Sequence, residues 1–350
     1  MKISALWLAP LAFLYGIATR FRNYLYNIGY SKSFNYDIMV IVVGNLSVGG
    51  TGKSPMTEYL IRLLHEKYSL ATLSRGYKRK TTGFLFADAH TTADEIGDEP
   101  YQLYLKYNKV ARVAVGEERT IAIPHILLEH PETQVVIMDD GYQHRAVKPD
   151  FSIILTDFSK PFYDDHLLPW GRLREAKVGS RRAQAIIVTK CPTPLSENET
   201  KEMTTRIQHH AGDKVPVFFS KVVYSRIKSI TGKINPNDTD FIAFAGLAKA
   251  APFFDHVANR FKLVHSVAFK DHHSYTLDDV RGLVQQAGQL NAALITTEKD
   301  VVKLRQKDFA NILRDIPLYY ISIEHRFINN GNIFDDLVLD AIEEKYTTED

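Results

Sequence analysis

The sequence predicts an α/β protein: a parallel-sheet core and a second, smaller α/β domain joined to it by a two-stranded β linker. Three observations predict it. Short β-branched runs alternate with helical stretches, as βαβ units require. The runs IMVIVV at 38–43 and QVVIM at 134–138 are almost continuously apolar, as strands buried on both faces are. A glycine-rich loop follows the first of these runs and opens a helix, the arrangement that offers backbone N–H groups to an anion.

Taken in order, the chain opens on an apolar stretch, Ile3–Ala18, with Pro10 inside it and Arg20 and Arg22 just after it. It is shorter than the roughly 20 residues that span a bilayer. It also lacks a small-residue cleavage site ahead of the aromatic and basic run to Tyr30, which argues against a secretory signal. Two readings stand level on these residues: a buried core helix, or an interfacial helix with Trp7, Phe13 and Leu14 in a membrane surface and the arginines at headgroup level.

Strands are then predicted at Ile38–Val43, Ser69–Ser74, Ala111–Val115, Val135–Met138, Ser152–Thr156 and Ala185–Thr189, with helices at Pro55–Lys67, Glu99–Lys106 and Thr120–His130 between them. After Cys191 a polar run to Asp213 leads into a β-rich segment, Val215–Ile230. A second α/β pattern follows: strand Phe241–Ala245, helix Ala251–Arg260, strand Leu263–Phe269, helix Leu277–Gln289 and strand Ala292–Thr297. A strand at Leu318–Ile323 and a helix at Ile333–Lys345 close the chain. The implied parts are an N-terminal helix region (1–30), a nucleotide-binding core (31–214), a β linker (215–230 and 316–327), a second α/β domain (231–315) and a C-terminal helix and tail (328–350). The active site is expected in the cleft between the two domains.

At 350 residues, 45% hydrophobic and 24% charged, the composition is that of an ordinary globular protein. A net charge of +2 is too mild for a nucleic-acid partner. Cys191 is the one cysteine, which excludes an intramolecular disulfide.

The strongest chemical signal is VGNLSVGGTGKS at 43–54, a P-loop between strand and helix, which makes the core P-loop NTPase-like. Ser47, Val48, Gly49, Gly50, Thr51, Gly52, Lys53 and Ser54 would wrap the phosphates of ATP. Lys53 reaches the β- and γ-phosphates, and Ser54 offers its hydroxyl to Mg²⁺. The generic pattern wants glycine where Ser47 stands. Asp139 and Asp140, ending the QVVIM strand, hold the place of the acidic metal-binding element, at the carboxyl end of the strand where open α/β sheets bind ligands. Gly97-Asp98-Glu99-Pro100 opens a helix, so by pattern alone Asp98 is a cap and Glu99 a first-turn acid. Arg75, Arg119, Arg172 and Arg174 follow strand ends on the P-loop side and suit a polyanionic substrate. Arg119 can instead meet the γ-phosphate as charge develops.

Together, VGNLSVGGTGKS, SRGYKR, GDEP, Arg119, DDGYQH, LLPWGRLRE, DHHSY and TTEKD, in this order over residues 1–325, resemble the tetraacyldisaccharide 4′-kinase family, the lipid A 4′-kinases of Gram-negative bacteria. The resemblance implies ATP-dependent phosphorylation of the 4′-hydroxyl of a tetraacylated glucosamine disaccharide 1-phosphate, a lipid A precursor, at the cytoplasmic face of the inner membrane. It implies an N-terminal helix that enters the membrane surface, which favours the interfacial reading of Ile3–Ala18. It makes Asp98 the catalytic base and His272, in preference to His273, its dyad partner. It places Asp139, Asp140 and Gln143 with Ser54 near the metal, and Glu99, Arg75, Arg172 and Arg174 on the substrate side. The competing class is a membrane-associated P-loop ATPase switch with no small-molecule acceptor. Such switches carry a lysine directly before the glycine pair, where this chain has Val48.

Overall fold

A computed structural model describes residues 7–232, 235–271, 273–305 and 307–347. The chain folds into two compact units. One comprises Met1–His90, Leu103–Val222 and His325–Asp350; the other comprises Thr91–Gln102 and Val223–Glu324.

In chain order the elements are α1 (Ala9–Asn27), β1 (Met39–Gly44), α2 (Lys53–Leu64), β2 (Leu70–Ser74), β3 (Leu85–Phe86), α3 (Ala93–Ile96), α4 (Asp98–Tyr107), β4 (Ala111–Val115), α5 (Arg119–Glu129), β5 (Val135–Asp139), β6 (Phe151–Asp157), β7 (Ala185–Thr189), α6 (Glu197–Ala211) and β8 (Val217–Tyr224). They continue with β9 (Lys228–Thr231), β10 (Asp240–Ala245), α7 (Ala251–Arg260), β11 (Lys262–Ala268), α8 (Leu277–Leu290), β12 (Ala293–Thr297), α9 (Glu298–Leu304), α10 (Lys307–Leu313), β13 (Leu318–Ile321), β14 (Ile323–Phe327) and α11 (Gly331–Thr347).

Among the described residues the first unit is built on a nine-stranded sheet of order β14-β8-β7-β6-β1-β5-β2-β4-β3. Its central strands are parallel and wholly buried. The period-two alternation of strand side chains divides them between two cores. Val40, Val42, Val136 and Met138 join one apolar cluster, and Met39, Ile41, Val43, Val135 and Ile137 join the other. Each fully buried aliphatic side chain of this kind stabilises the fold by about 1.5–3 kcal/mol. α11 closes the second cluster with Phe334, Val338 and Ile342.

The second unit holds a five-stranded sheet, β11-β10-β12-β13-β9, parallel except at β9. It divides its residues in the same way: Ile242 and Phe244 face one cluster, Phe241, Ala243 and Ala245 the other. The chain passes between the units four times, twice inside β8 and β14, within the segments expected as a linker. Both strands belong to the nine-stranded sheet.

One feature departs from the sequence expectation, and another bears on a choice that the residues alone left open. The polar run before Asp213 contains α6, started by a capping box between Ser196 and Glu199 and burying only Met203, Ile207 and Ala211. A helix with so narrow an apolar stripe shows little periodicity. The apolar residues of α1 do not form a core: Ala12, Gly16 and Thr19 are buried, while Phe13, Leu14 and Phe21 are 66%, 61% and 61% exposed. Small residues at i, i+4 and i+7 let the helix backbone lie close to the unit, and the large side chains point away.

Candidate active site

Strand register assembles the nucleotide half of the site. Val43 of β1 lies abreast of Asp139 of β5, and Leu73 of β2 abreast of Met138. The P-loop, the two aspartates and Arg75 therefore leave the sheet at one end. Ser74 is paired with Val115 of β4, which brings Arg119, the first residue of α5, to that end as well.

The loop's shape is fixed on all sides. Gly49 and Gly52 hold φ of 117° and 93°, a region that other residues enter only at a cost. Gly44 is held to glycine by close approach instead, since a Cβ there would lie 2.5 Å from Tyr142 Cβ. The Arg172–Arg174 segment runs alongside: Val48 N donates to Arg172 O (2.8 Å), Arg174 N donates to Leu46 O (2.7 Å), and Ser47 bridges Leu173. Asn45 donates to Thr51 Oγ1 (2.8 Å), and Thr189 Oγ1 donates to Thr51 O (2.8 Å). Below the loop, the buried imidazole of His325 is 2.8 Å from Gly52 O through Nε2 and 3.1 Å from Ser220 Oγ through Nδ1. Burial lowers the pKa of His325 to about 4. The ring is therefore neutral at pH 7, and its Nε2–H donates to the carbonyl.

Lys53 Nζ lies 3.6 Å from Asp140 Oδ1, and Arg174 Nη1 lies 3.0 Å from the same oxygen. Asp140 has φ of 52°, a left-handed conformation that Asp tolerates better than most residues. Arg174 also donates to Asn45 Oδ1 (2.7 Å) and Gln143 Oε1 (3.2 Å). Gln143 in turn donates to Asn45 O and to Glu175. Glu175 is fully buried and satisfied by Arg182 (2.9 and 3.0 Å), Gln143 and Asn23. Arg172 is held by Asp165 at 2.8 Å. The structure thus places Lys53, Asp140, Gln143 and Arg174 in one network. Asn45 and Glu175, to which the motifs assign no role, hold it together.

Arg119 is buried, donating to Gly116 O (2.7 Å) and Glu117 O (3.1 Å). Desolvation, then repulsion from Arg75, lowers its pKa to about 10, against attraction from Asp140 and Asp139. Desolvation and the same two arginines hold His144 at about 4. Arg119 remains charged at neutral pH and His144 does not, so this corner is electropositive and suited to an anion.

The acidic half lies in the second unit. Asp98 is the first residue of α4 rather than its cap, preceded by Gly97 at φ 94°. Asp98 Oδ2 is 3.6 Å from Lys303 Nζ, which donates to His273 O at 2.8 Å. Glu99 lies 4.0 Å from Lys299. Thr297 caps α9 through Asp300, whose Oδ2 also accepts from Gly246 N. His273 Nε2 is 3.0 Å from Asp279 and its ring stacks on Phe269. His272 lies outside the described residues.

A model of the tetraacyldisaccharide-1-P 4′-kinase family matches residues 4–343. The chain belongs to this family. It is 41% identical to the tetraacyldisaccharide 4′-kinase of Flavobacterium johnsoniae, over 96% of this chain and 97% of that one. It is 38% identical to the protein of the same name from Porphyromonas gingivalis, over 97% and 98%. Its fold is similar to a crystal structure of LpxK from Aquifex aeolicus in complex with ATP, with a TM-score of 0.76 and 26% identity over 97% of this chain and 100% of that one.

In this kinase the 165–178 loop that carries LLPWGRLRE also meets α1. Tyr15 Oη donates to Arg174 O at 2.7 Å and Asn23 to Glu175 at 3.0 Å. A cleft of about 490 Å³ opens beside them, lined by Ala12, Phe13, Leu167, Trp170, Leu173 and Val178, with Arg20 and Lys177 also contributing. No helix among the described residues is long and apolar enough to cross a membrane.

Proposed function

We propose that the chain transfers the γ-phosphate of ATP to the 4′-hydroxyl of a tetraacyldisaccharide 1-phosphate, with Lys53 and Arg119 stabilising the phosphoryl group and Asp98 accepting the hydroxyl proton. The reading is carried by the convergence of Lys53, Asp140 and Arg174 on one edge of the P-loop. The acceptor oxygen forms a bond to the γ-phosphorus, the bond to the bridging oxygen breaks, ADP leaves, and the proton passes to the Asp98 carboxylate. His272 orients that carboxylate and shares the proton. Arg75, Arg172, Arg174 and Glu99 are the residues assigned to acceptor binding on this reading.

Ser54, Asp139 and Asp140 are the oxygen donors that would hold Mg²⁺, with Gln143 beside them. Among the described residues no cluster of three or more His, Cys, Asp or Glu forms a metal site by itself. Mg²⁺ is generally held by one or two carboxylates together with phosphate oxygens. When bound, it neutralises charge on the β- and γ-phosphates.

The acyl chains are the reason for α1. Its exposed Phe13, Leu14, Ile17 and Phe21, with Trp7 just ahead of the helix, lie in the surface of the cytoplasmic face of the inner membrane, and the cleft beside them receives an acyl segment. Incubation with γ-labelled ATP and disaccharide 1-phosphate should yield labelled lipid. ATP hydrolysis that proceeds equally without the acceptor would return the chain to the switch-ATPase class. Sedimentation with anionic vesicles tests the surface: Phe13→Ser with Leu14→Ser should leave the protein in the supernatant at unchanged thermal stability.

A further inference from the structure

We propose that Lys303 is a positioning residue for phosphoryl transfer, tying the Asp98 carboxylate to the backbone at His273. This rests on the reading of Asp98 as the acceptor-side base.

Lys303 is 7% exposed. A buried ammonium is costly unless paired, and an apolar side chain would fill this place on α9 at lower cost. The charge is instead engaged by two groups from different segments. Its Nζ lies 3.6 Å from Asp98 Oδ2 at the start of α4, and 2.8 Å from His273 O in the loop after β11. The neighbouring groups have partners of their own: His273 is held by Asp279 and Phe269, and Glu99 lies 4.0 Å from Lys299. α9 is itself fixed from behind, through Thr297, Asp300 and Gly246 N. A lysine from a braced helix therefore sets the distance between the base and the loop. In a transfer where geometry supplies much of the rate, a misplacement of about 1 Å can cost about 10²-fold.

The test is a kinetic cycle on the full-length protein with ATP and disaccharide 1-phosphate. Lys303→Met, close in shape, should lower kcat about 10- to 100-fold while KM for ATP changes less than about 2-fold. Lys303→Arg, which keeps a donor and the charge, should recover part of the loss, and Lys303→Gln less. Asp98→Asn with Lys303→Met should be little slower than Asp98→Asn alone, since residues acting through one group are non-additive. A wild-type kcat in Lys303→Met overturns the proposal, as does a cycle in which the two losses multiply. A raised KM for ATP also overturns it, making Lys303 a phosphate contact. Wild-type turnover in Asp98→Asn is a different result: it removes the base itself. If Lys303→Met melts well below the wild type, the Arg and Gln pair decides, and equal rates in those two overturn the proposal.

Discussion

The nucleotide half and the acidic half of this kinase are built differently. The P-loop is gripped along its length: by the Arg172–Arg174 segment, by Thr189 from β7 and by His325 from β14. Its charged groups form a closed network in which Asp140 and Gln143 each meet Arg174. In the acidic half Asp98 meets Lys303 at 3.6 Å, Lys303 donates to His273 O, Glu99 lies 4.0 Å from Lys299, and the Asp98 side chain is 29% exposed. The same P-loop must hold the same triphosphate in every cycle, so a rigid cradle costs nothing in function. On the proposed reading the acidic half, with its partly exposed carboxylate, admits an acylated sugar and releases it phosphorylated, a task that a closed network suits less well.

This contrast predicts separable kinetic defects. Lys53→Ala should be the most severe, lowering kcat/KM about 10²-fold or more, because one preorganised donor at developing charge is worth roughly 3–4 kcal/mol. KM for ATP should rise with it. Near-normal turnover in labelled-phosphate transfer would break the assignment of the nucleotide half. Asp98→Ala should lower kcat about 10²-fold while leaving ATP binding, followed by nucleotide fluorescence, nearly intact. His272→Ala should behave likewise, and the double variant should be little worse than the poorer single one. A collapse of ATP affinity in Asp98→Ala would erase the distinction between the halves.

The two halves were also unequally legible. The P-loop could be read because strand, glycine loop and helix are consecutive between residues 39 and 64, and Asp139-Asp140 because they end an apolar strand. Which arginine of the 171–182 loop meets which acid could not be read, since that is set by the bridge between Ser47 and Leu173 and by Asn45. Lys303 gave no signal at all, as its partners are distant in sequence and only the fold of the second unit unites them. In α1 the apolar run was visible, and the interfacial reading put Trp7, Phe13 and Leu14 outward, but the residues that face the unit carried no apolar signal. The spacing of Ala12, Gly16 and Thr19 marks the inward face.

Gly52→Ala sharpens the comparison from the side of stability. At φ 93° an added Cβ meets an unfavourable backbone and, at 2.5 Å, the His325 ring behind it. Strain of this kind costs about 1–3 kcal/mol. The variant should therefore melt lower and bind ATP less tightly, as calorimetry and titration would show. A fully stable protein with normal ATP affinity would mean that the cradle is more pliant than its contacts imply.

The smallest expected effect concerns His325 and pH. Its folded pKa of about 4 lies below the 6.5 of a free histidine, with burial the main cause and Lys190 and Arg62 adding to it, against the raising effect of the Gly52 carbonyl. The unfolded chain therefore takes up the proton first as pH falls. The stability from keeping this ring neutral is present above about 6.5 and is lost progressively toward 4. Between pH 7.5 and 5.5 the wild type should lose about 1 kcal/mol more than His325→Gln, in which no group titrates at that position. His144, shifted in the same direction, remains in both proteins and cancels in the difference. Denaturant unfolding at the two pH values measures it. Parallel losses in the two proteins would mean that the imidazole beneath Gly52 is not held neutral, and the P-loop would lose one of the contacts that set it apart from the acidic half.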